Sequence, residues 1–353
     1  MNSAHRTPLG LDWVALQRVS TSTRRWWVKS RFKASPPMQA VLFLIAGFLL
    51  LPLVAEAEQQ SALREDSSSR VTLRVLGIAQ DAGHPQIDCY APRCLSAWRE
   101  ETPPSGATAL ALTISDASFF MFDAPPELPA ALYQVWRESQ LRLRDLKGVF
   151  LTHAHMGHYA GLLHLGKEGA GASGIPVYAM PRMKTFLETN APWAQLVNDK
   201  NIVIRALKAE RPEVFEQITV TPWQVPHRDE YSETVGYFIK GPRKNALYLP
   251  DIDQWHRWDR SLADVIQQVD FAFIDATFFG AGELPGRDMS LIPHPTVEST
   301  MTLLKDLAPK FRQRVIFIHM NNTNPMLDPE SAQTQQVIRE GFNIARVGAA
   351  FDL

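Results

Sequence analysis

The stretch "FLTHAHMGHYAGLLHLG", residues 150–166, sets three histidines within six positions, ahead of an apolar run punctuated by glycine. If residues 149–155 finish a strand, period-two alternation turns His153 and His155 to the same side. His158 then falls in the first turn of the helix that follows. Three imidazoles would converge above one strand end. Each ring taken singly reads as readily as a satisfied structural residue, so the decision rests on what the rest of the chain places beside them.

Other acids and imidazoles follow the same rule of placement. Asp123 ends "SFFMFD", Asp251 ends "NALYLPD", His319 ends "RVIFIH", and His227 follows "VTPWQVP" just before "TVGYFI". Shared placement at the C-terminal ends of apolar strands lets residues distant in sequence meet at one edge of a fold. Neutral imidazoles with a carboxylate are the donors that Zn²⁺ prefers, and a catalytic site keeps a position open for water. His153, His155, His158, His227 and His319 with Asp251 exceed what one tetrahedral ion needs. Two ions about 3.5–4 Å apart would use them all, with Asp251 as the bridge.

Strand-like runs recur at 71–77, 107–114, 118–124, 147–153, 175–180, 234–240, 245–251, 270–276, 314–319 and 343–348, rich in β-branched and aromatic residues and bounded by Gly, Pro, Asn or Asp. Helical spacing appears at 126–138, after His158, and at 253–268, 296–307 and 329–340, where Pro329 suits a first helical position. Strands interleaved with helices along both halves predict two sheets packed face to face with helices outside.

The chain has 353 residues, 45% hydrophobic and 21% charged, with a formal net charge of −1. That supports a globular core over most of its length, and the absence of a basic bias argues against a nucleic-acid partner. Arg24, Arg25, Lys29, Arg31 and Lys33 precede an uncharged run, "VLFLIAGFLLLPLV" (41–54), followed by Ala55-Glu56-Ala57, the small-x-small form of a signal-peptidase site. The run is shorter than the roughly 20 residues that cross a bilayer comfortably. Residues 1–57 are therefore expected to be a cleaved secretory signal, giving a periplasmic or secreted protein. An uncleaved anchor in the inner membrane is the alternative, and "STRRWWVK" loosely resembles a twin-arginine signal. Residues 58–70, polar and free of aromatics, read as a flexible linker, and 71–353 as one domain.

"THAHMGH" resembles the histidine motif of the metallo-β-lactamase superfamily, H-x-H-x-D-H, and His227, Asp251 and His319 follow in that family's order. The resemblance covers residues 71–353 and implies an α/β fold, the four-layer αββα sandwich of two mixed sheets. It implies that His153, His155 and His227 hold one ion, that His158, Asp251 and His319 hold the other, and that Asp123 braces the histidine loop from behind. The usual metal-binding aspartate is replaced by Gly157. The second site would then lose one anionic ligand and bind its ion more weakly or select a different one, so single-metal operation, or iron in place of zinc, becomes an expectation.

"VLGIAQDAGHPQIDCYAPRC" (75–94) and "FIHMNNTNPMLDPES" (317–331) are similar to the corresponding stretches of the coenzyme PQQ synthesis protein B family, a branch of the same superfamily. In that branch a Cys-rich loop binds a structural zinc. Here only Cys89 and Cys94 remain, too few for a closed Cys₄ site. In an oxidising compartment a disulfide closing a short loop is the simplest reading, with a residual zinc site or free thiols as alternatives.

His294, in "IPHP", is a candidate proton donor or substrate contact, with a helix-capping or surface role about equally good. His84 and Asp81, in "QDAGHP", lie on a loop that could overhang the metal edge. Asp275 reads as structural, and Asn321, Asn322 and Asn324 as residues that bond the turn after His319. The expected catalytic residues are Asp251, to orient the nucleophile, and His294. The expected cofactor is zinc, as one or two ions, with iron or manganese as alternatives.

The reaction expected is hydrolysis of an ester, lactone, amide or phosphodiester by a metal-activated water. The alternative is a role in pyrroloquinoline quinone biosynthesis, as an iron-dependent oxygenase. The expected partner is a small-molecule substrate, with membrane contact only through the export signal and a homodimer left open. Substrate choice would lie in loops such as 181–233, which carry no recognisable code.

Overall fold

The computed structural model describes residues 70–353, so the expected signal and all but the last residue of the linker lie outside the described residues. Two seven-stranded sheets form the centre. The first contains β1 (Val71–Gly77), β2 (Ala109–Ile114), β3 (Ser118–Phe122), β4 (Leu146–Phe150), β5 (Ile175–Ala179) and β6 (Ile202–Ala206). The second contains β7 (Glu213–Val214), β8 (Thr219–Gln224), β9 (Val235–Lys240), β10 (Asn245–Leu249), β11 (Phe271–Asp275), β12 (Val315–Ile318) and β13 (Asn343–Ile344). The last strand, β14 (Ala350–Asp352), returns to the first sheet beside β1.

Each sheet is half antiparallel and half parallel. The first pairs β14, β1, β2 and β3 antiparallel and then runs parallel from β3 through β6. The second pairs β7 to β10 antiparallel and runs parallel from β10 to β13. Parallel neighbours need crossovers, and these are helical. Leu128–Ser139 links β3 to β4, Leu262–Gln268 links β10 to β11, and Ala332–Arg339 links β12 to β13.

Strands covered on both faces read as continuous apolar runs. Phe119, Phe120, Met121 and Phe122 of β3 are all buried, and their alternate side chains enter different layers. Phe120 and Phe122 join Tyr237, Tyr248 and Phe273 between the sheets, whereas Phe119 and Met121 join Leu128, Val135 and Leu162 beneath the outer helices. Helix, sheet, sheet, helix is the predicted layer order.

The elements differ from expectation at their ends. The expected helix after His158 is a single turn, Met156–Tyr159, continued by 3₁₀ geometry over Ala160–Leu165. The expected 253–268 helix is a 3₁₀ turn, Trp255–Arg257, and then Leu262–Gln268, begun by Ser261, whose hydroxyl accepts from the Asp264 N–H. Pro329 lies ahead of the last helix, which Ser331 caps. Strands β6, β7, β8 and β14 were not foreseen. They are short edge strands or strands interrupted by proline, such as β8 with Pro222, and so lack a clean alternating pattern.

Candidate metal centre

The polar residues gather where strands of both sheets end. Asp123 follows β3, His153 and His155 follow β4, Asp251 follows β10, and His319 follows β12. Strand β4 stops at Phe150, short of the histidines, so strand pleating does not align His153 with His155. The buried Asp123 carboxylate takes over the chain instead. Its Oδ1 accepts from the Thr152 N–H at 2.8 Å and from Thr152 Oγ1 at 2.9 Å. The loop then delivers His153 Nε2 to within 2.8 Å of His155 Nδ1, and His227 Nε2 lies 3.3 Å from the same His155 nitrogen. Ligands at about 2.0–2.1 Å in a tetrahedron stand about 3.3 Å apart.

A second group adjoins the first. His158 Nε2 lies 3.3 Å from His319 Nε2, and Asp251 Oδ2 lies 3.0 Å from the former and 3.1 Å from the latter. The same Oδ2 is 3.5 Å from His153 Nε2, and Oδ1 is 3.6 Å from His227 Nε2. One carboxylate therefore faces both groups. The structure brings together all six expected ligands, and a further carboxylate, Asp81 Oδ1, lies 3.7 Å from His158 Nε2.

Which ring nitrogen faces inward is set from behind. His158 Nδ1 donates to Asp123 Oδ2 at 2.7 Å. Because Thr152 Oγ1 gives its proton to Asp123, it is free to accept from His153 Nδ1 at 3.0 Å. The arrangement recurs on the other sheet: Thr277 Oγ1 donates to Asp275 Oδ1 at 2.8 Å and accepts from His319 Nδ1 at 2.9 Å. In each case Nε2 is the nitrogen turned toward the centre. The Tyr248 hydroxyl also donates to Asp123 Oδ2, at 2.9 Å.

Burial and neighbouring charge divide the rings. Burial holds His227 down to about 3, and it also lowers His153 and His319, so these rings stay neutral as ligands must. Burial acts against charging His158 too, but Asp123 and Asp251 outweigh it and raise that ring well above the ordinary histidine value. Asp251 is held well below the carboxylate range because the surrounding histidines overcome its desolvation.

His294 is not a surface or capping residue. It is buried, and its Nδ1 lies 2.8 Å from Asp275 Oδ2 and 3.5 Å from Asp251 Oδ1. Burial disfavours its charged form, but Asp275 prevails and raises its pKa. Asp275 is thus more than a strand terminus: it orients His294 directly and His319 through Thr277. The sequence signal for this pair is an Asp-x-Thr directly after the apolar run "FAFI". His84 belongs to none of the ligand groups among the described residues and bonds Asn322 Oδ1 through Nδ1 at 3.0 Å.

His319 adopts a left-handed backbone, φ 68°, uncommon for a residue with a side chain. Of the asparagines behind it, Asn321 and Asn324 hold the turn as expected, whereas the Asn322 side chain bonds His84 instead. The Asn321 N–H donates to Thr277 O at 2.9 Å, and Asn324 Nδ2 donates to Ala276 O at 2.7 Å. Cys89 and Cys94 form a disulfide.

Asp251 Oδ1, buried in the cluster, has no hydrogen-bond partner. Inward-facing imidazole nitrogens at such separations are costly unless a cation lies among them. The donor set therefore fits metal ions.

A model of the "Beta-lactamase superfamily domain" matches residues 118–320, more than half of the chain. The coenzyme PQQ synthesis protein B of Xanthomonas oryzae pv. oryzae is 24% identical over 298 residues, spanning 78% of this chain and 97% of that protein. Among solved structures, Zn²⁺-bound PqqB from Methylobacterium extorquens superposes with a TM-score of 0.68 at 22% identity, covering 80% of this chain and all of that one. A diphosphatase from the PhnP family gives 0.59 at 19% identity, covering 80% and 97%. With its two mixed sheets, its buried histidine and aspartate cluster and a family match over most of its core, this chain belongs to the metallo-β-lactamase superfamily.

Proposed function

We infer that this chain is an exported, metal-dependent hydrolase that cleaves an ester, lactone, amide or phosphodiester, with an anionic phosphoryl substrate favoured. The observation that carries the reading is the position of Asp251, whose carboxylate lies within 3.6 Å of imidazole nitrogens from both sets, His153 and His227 of one and His158 and His319 of the other. His153 Nε2, His155 Nδ1 and His227 Nε2 would hold one ion, and His158 Nε2, His319 Nε2 and Asp251 a second. Zinc suits this donor set, with iron or manganese as alternatives. Divalent ions held there supply Lewis acidity and bring the pKa of water from about 15.7 toward 7.

The chain's own residues do the rest. Asp251 orients the nucleophile. His294, held by Asp275 through Nδ1, offers Nε2 as proton donor to the leaving group. A cleft of about 590 Å³ opens beside it, lined by Gln80, Arg228, Arg287, His294 and Asn321 among others. Two guanidinium groups, with no carboxylate among the described lining residues, favour a phosphate-bearing substrate, although Arg228 also lies 3.7 Å from Glu230. Export through the leader would place this activity in the periplasm or outside the cell.

The second reading, a role like that of the PQQ synthesis protein B relatives, rests on sequence similarity along nearly their whole length. Elemental analysis of the mature domain, followed by a panel of nitrophenyl phosphodiesters, esters and lactones, separates the two. Zinc with phosphodiester turnover supports the hydrolase. Iron with oxygen uptake supports the second reading, and full turnover by metal-stripped protein ends the first.

A further inference from the structure

The superfamily motif has an aspartate where this chain has Gly157, which on sequence grounds leaves the second ion short of a negative ligand. The fold supplies a carboxylate at that place from elsewhere. A Cβ built on Gly157 would lie 2.4 Å from Asp81 Cα and 2.8 Å from Asp81 Oδ1. The loop after β1 therefore occupies the volume a side chain at position 157 would need, and its carboxylate enters the cluster there. The Gly157 N–H donates to Asp81 Oδ1 at 3.2 Å, and the same oxygen lies 3.7 Å from His158 Nε2. Asp81 Oδ1, His158 and His319 present ligand atoms within 4.8 Å of one another.

The loop is also tied to the segment after β12 that carries His319. Ala79 bridges Met320 in parallel, the Gln80 N–H donates to Met320 O at 2.8 Å, and the Asn321 side-chain amide bonds that of Gln80. Asp81 and His319 are thus mounted on one hydrogen-bonded unit, which fixes the carboxylate against the imidazole. A loop that only passed over the site would not need glycine at 157.

We propose that Asp81 is the missing anionic ligand of the second metal position, and that Gly157 is the complementary change which lets the Asp81 loop approach. The inference rests on the reading of the cluster as a two-ion centre. With Asp81 and Asp251 present, the second position has two imidazoles and two carboxylates, so it keeps the charge that the motif alone loses at Gly157. Two carboxylates also make it a harder site than the three-histidine one, better suited to Mn²⁺ or Fe²⁺ alongside Zn²⁺.

The test is metal titration of the full mature chain and its Asp81→Asn variant with Zn²⁺ and with Co²⁺, followed by calorimetry and by the visible absorption of bound cobalt. Asparagine keeps the shape and can still accept from the Gly157 N–H, and Asp81 is partly exposed, so circular dichroism should show an intact fold. Asp88→Asn, an exposed acid in the same loop, is the control. The expected result is two equivalents in the parent and in the control, with the second equivalent weakened at least about tenfold in Asp81→Asn while the first is unchanged. Equal affinity for the second equivalent in parent and Asp81→Asn overturns the role of Asp81 and leaves the hydrolase reading standing. A parent that binds one ion only also overturns it. A parent that binds none removes both readings together.

Discussion

Nδ1 of His294 lies 2.8 Å from Oδ2 of Asp275, the same relation that His158 has to Asp123 at 2.7 Å on the other sheet. Both carboxylates are wholly buried, and both also accept from a threonine hydroxyl, Thr277 and Thr152 respectively. Only the roles of the rings differ. Nε2 of His158 points among the ligand nitrogens, whereas His294 lines the cleft.

His294→Ala should therefore reduce kcat by about 10²–10⁴-fold, the usual worth of a positioned proton donor. Metal content should stay at the parental value. A variant that loses an equivalent of metal along with activity would identify His294 as a ligand instead.

His155→Ala and Asp251→Ala should each abolish turnover with an unchanged far-UV spectrum. Neither residue belongs to the apolar layers between or outside the sheets. Metal analysis is the second readout. Asp251→Ala should impair both ions and His155→Ala chiefly one, and parental activity in either variant contradicts the site.

The metal-free protein should be sensitive to acid through His227. Its folded pKa is about 3, whereas an unfolded histidine titrates near 6.5. Between these values the unfolded chain binds the additional proton, so stability from this residue is complete above about 6.5 and falls as pH drops toward 3. His227→Gln removes that loss. In chelator, lowering the pH from 7 to about 4.5 should cost the parent about 2 kcal/mol more than the variant, as read from urea midpoints. Identical losses would show that His227 is not held neutral in the fold.

The Cys89–Cys94 bridge closes a short loop, and reduction should cost about 2 kcal/mol on the chain-entropy model. Mass spectrometry of the unreduced mature chain should find no alkylatable thiol. Labelling of both cysteines would rule the bridge out.

The sequence by itself determined the family and the layer order, and it picked out the six residues that the fold brings together. Those features are local: apolar runs rich in β-branched and aromatic residues, and polar residues that repeatedly follow them. Asp123, Asp251 and His319 could be picked out because each stands directly after a hydrophobic strand. Tertiary structure decided what a linear pattern cannot carry. Strand β4 ends before His153 because Asp123, 29 residues away, captures the Thr152 N–H. Asp275 moved from a structural residue to the partner of His294 because a loop 19 positions later folds back onto it. Gly157 read in isolation as a lost ligand, and only the approach of Asp81, 76 positions earlier, shows a carboxylate standing in its place. Hydrogen bonds and ligand sets depend on distances of about 3 Å, and packing creates those distances between residues whose separation along the chain carries no trace of them.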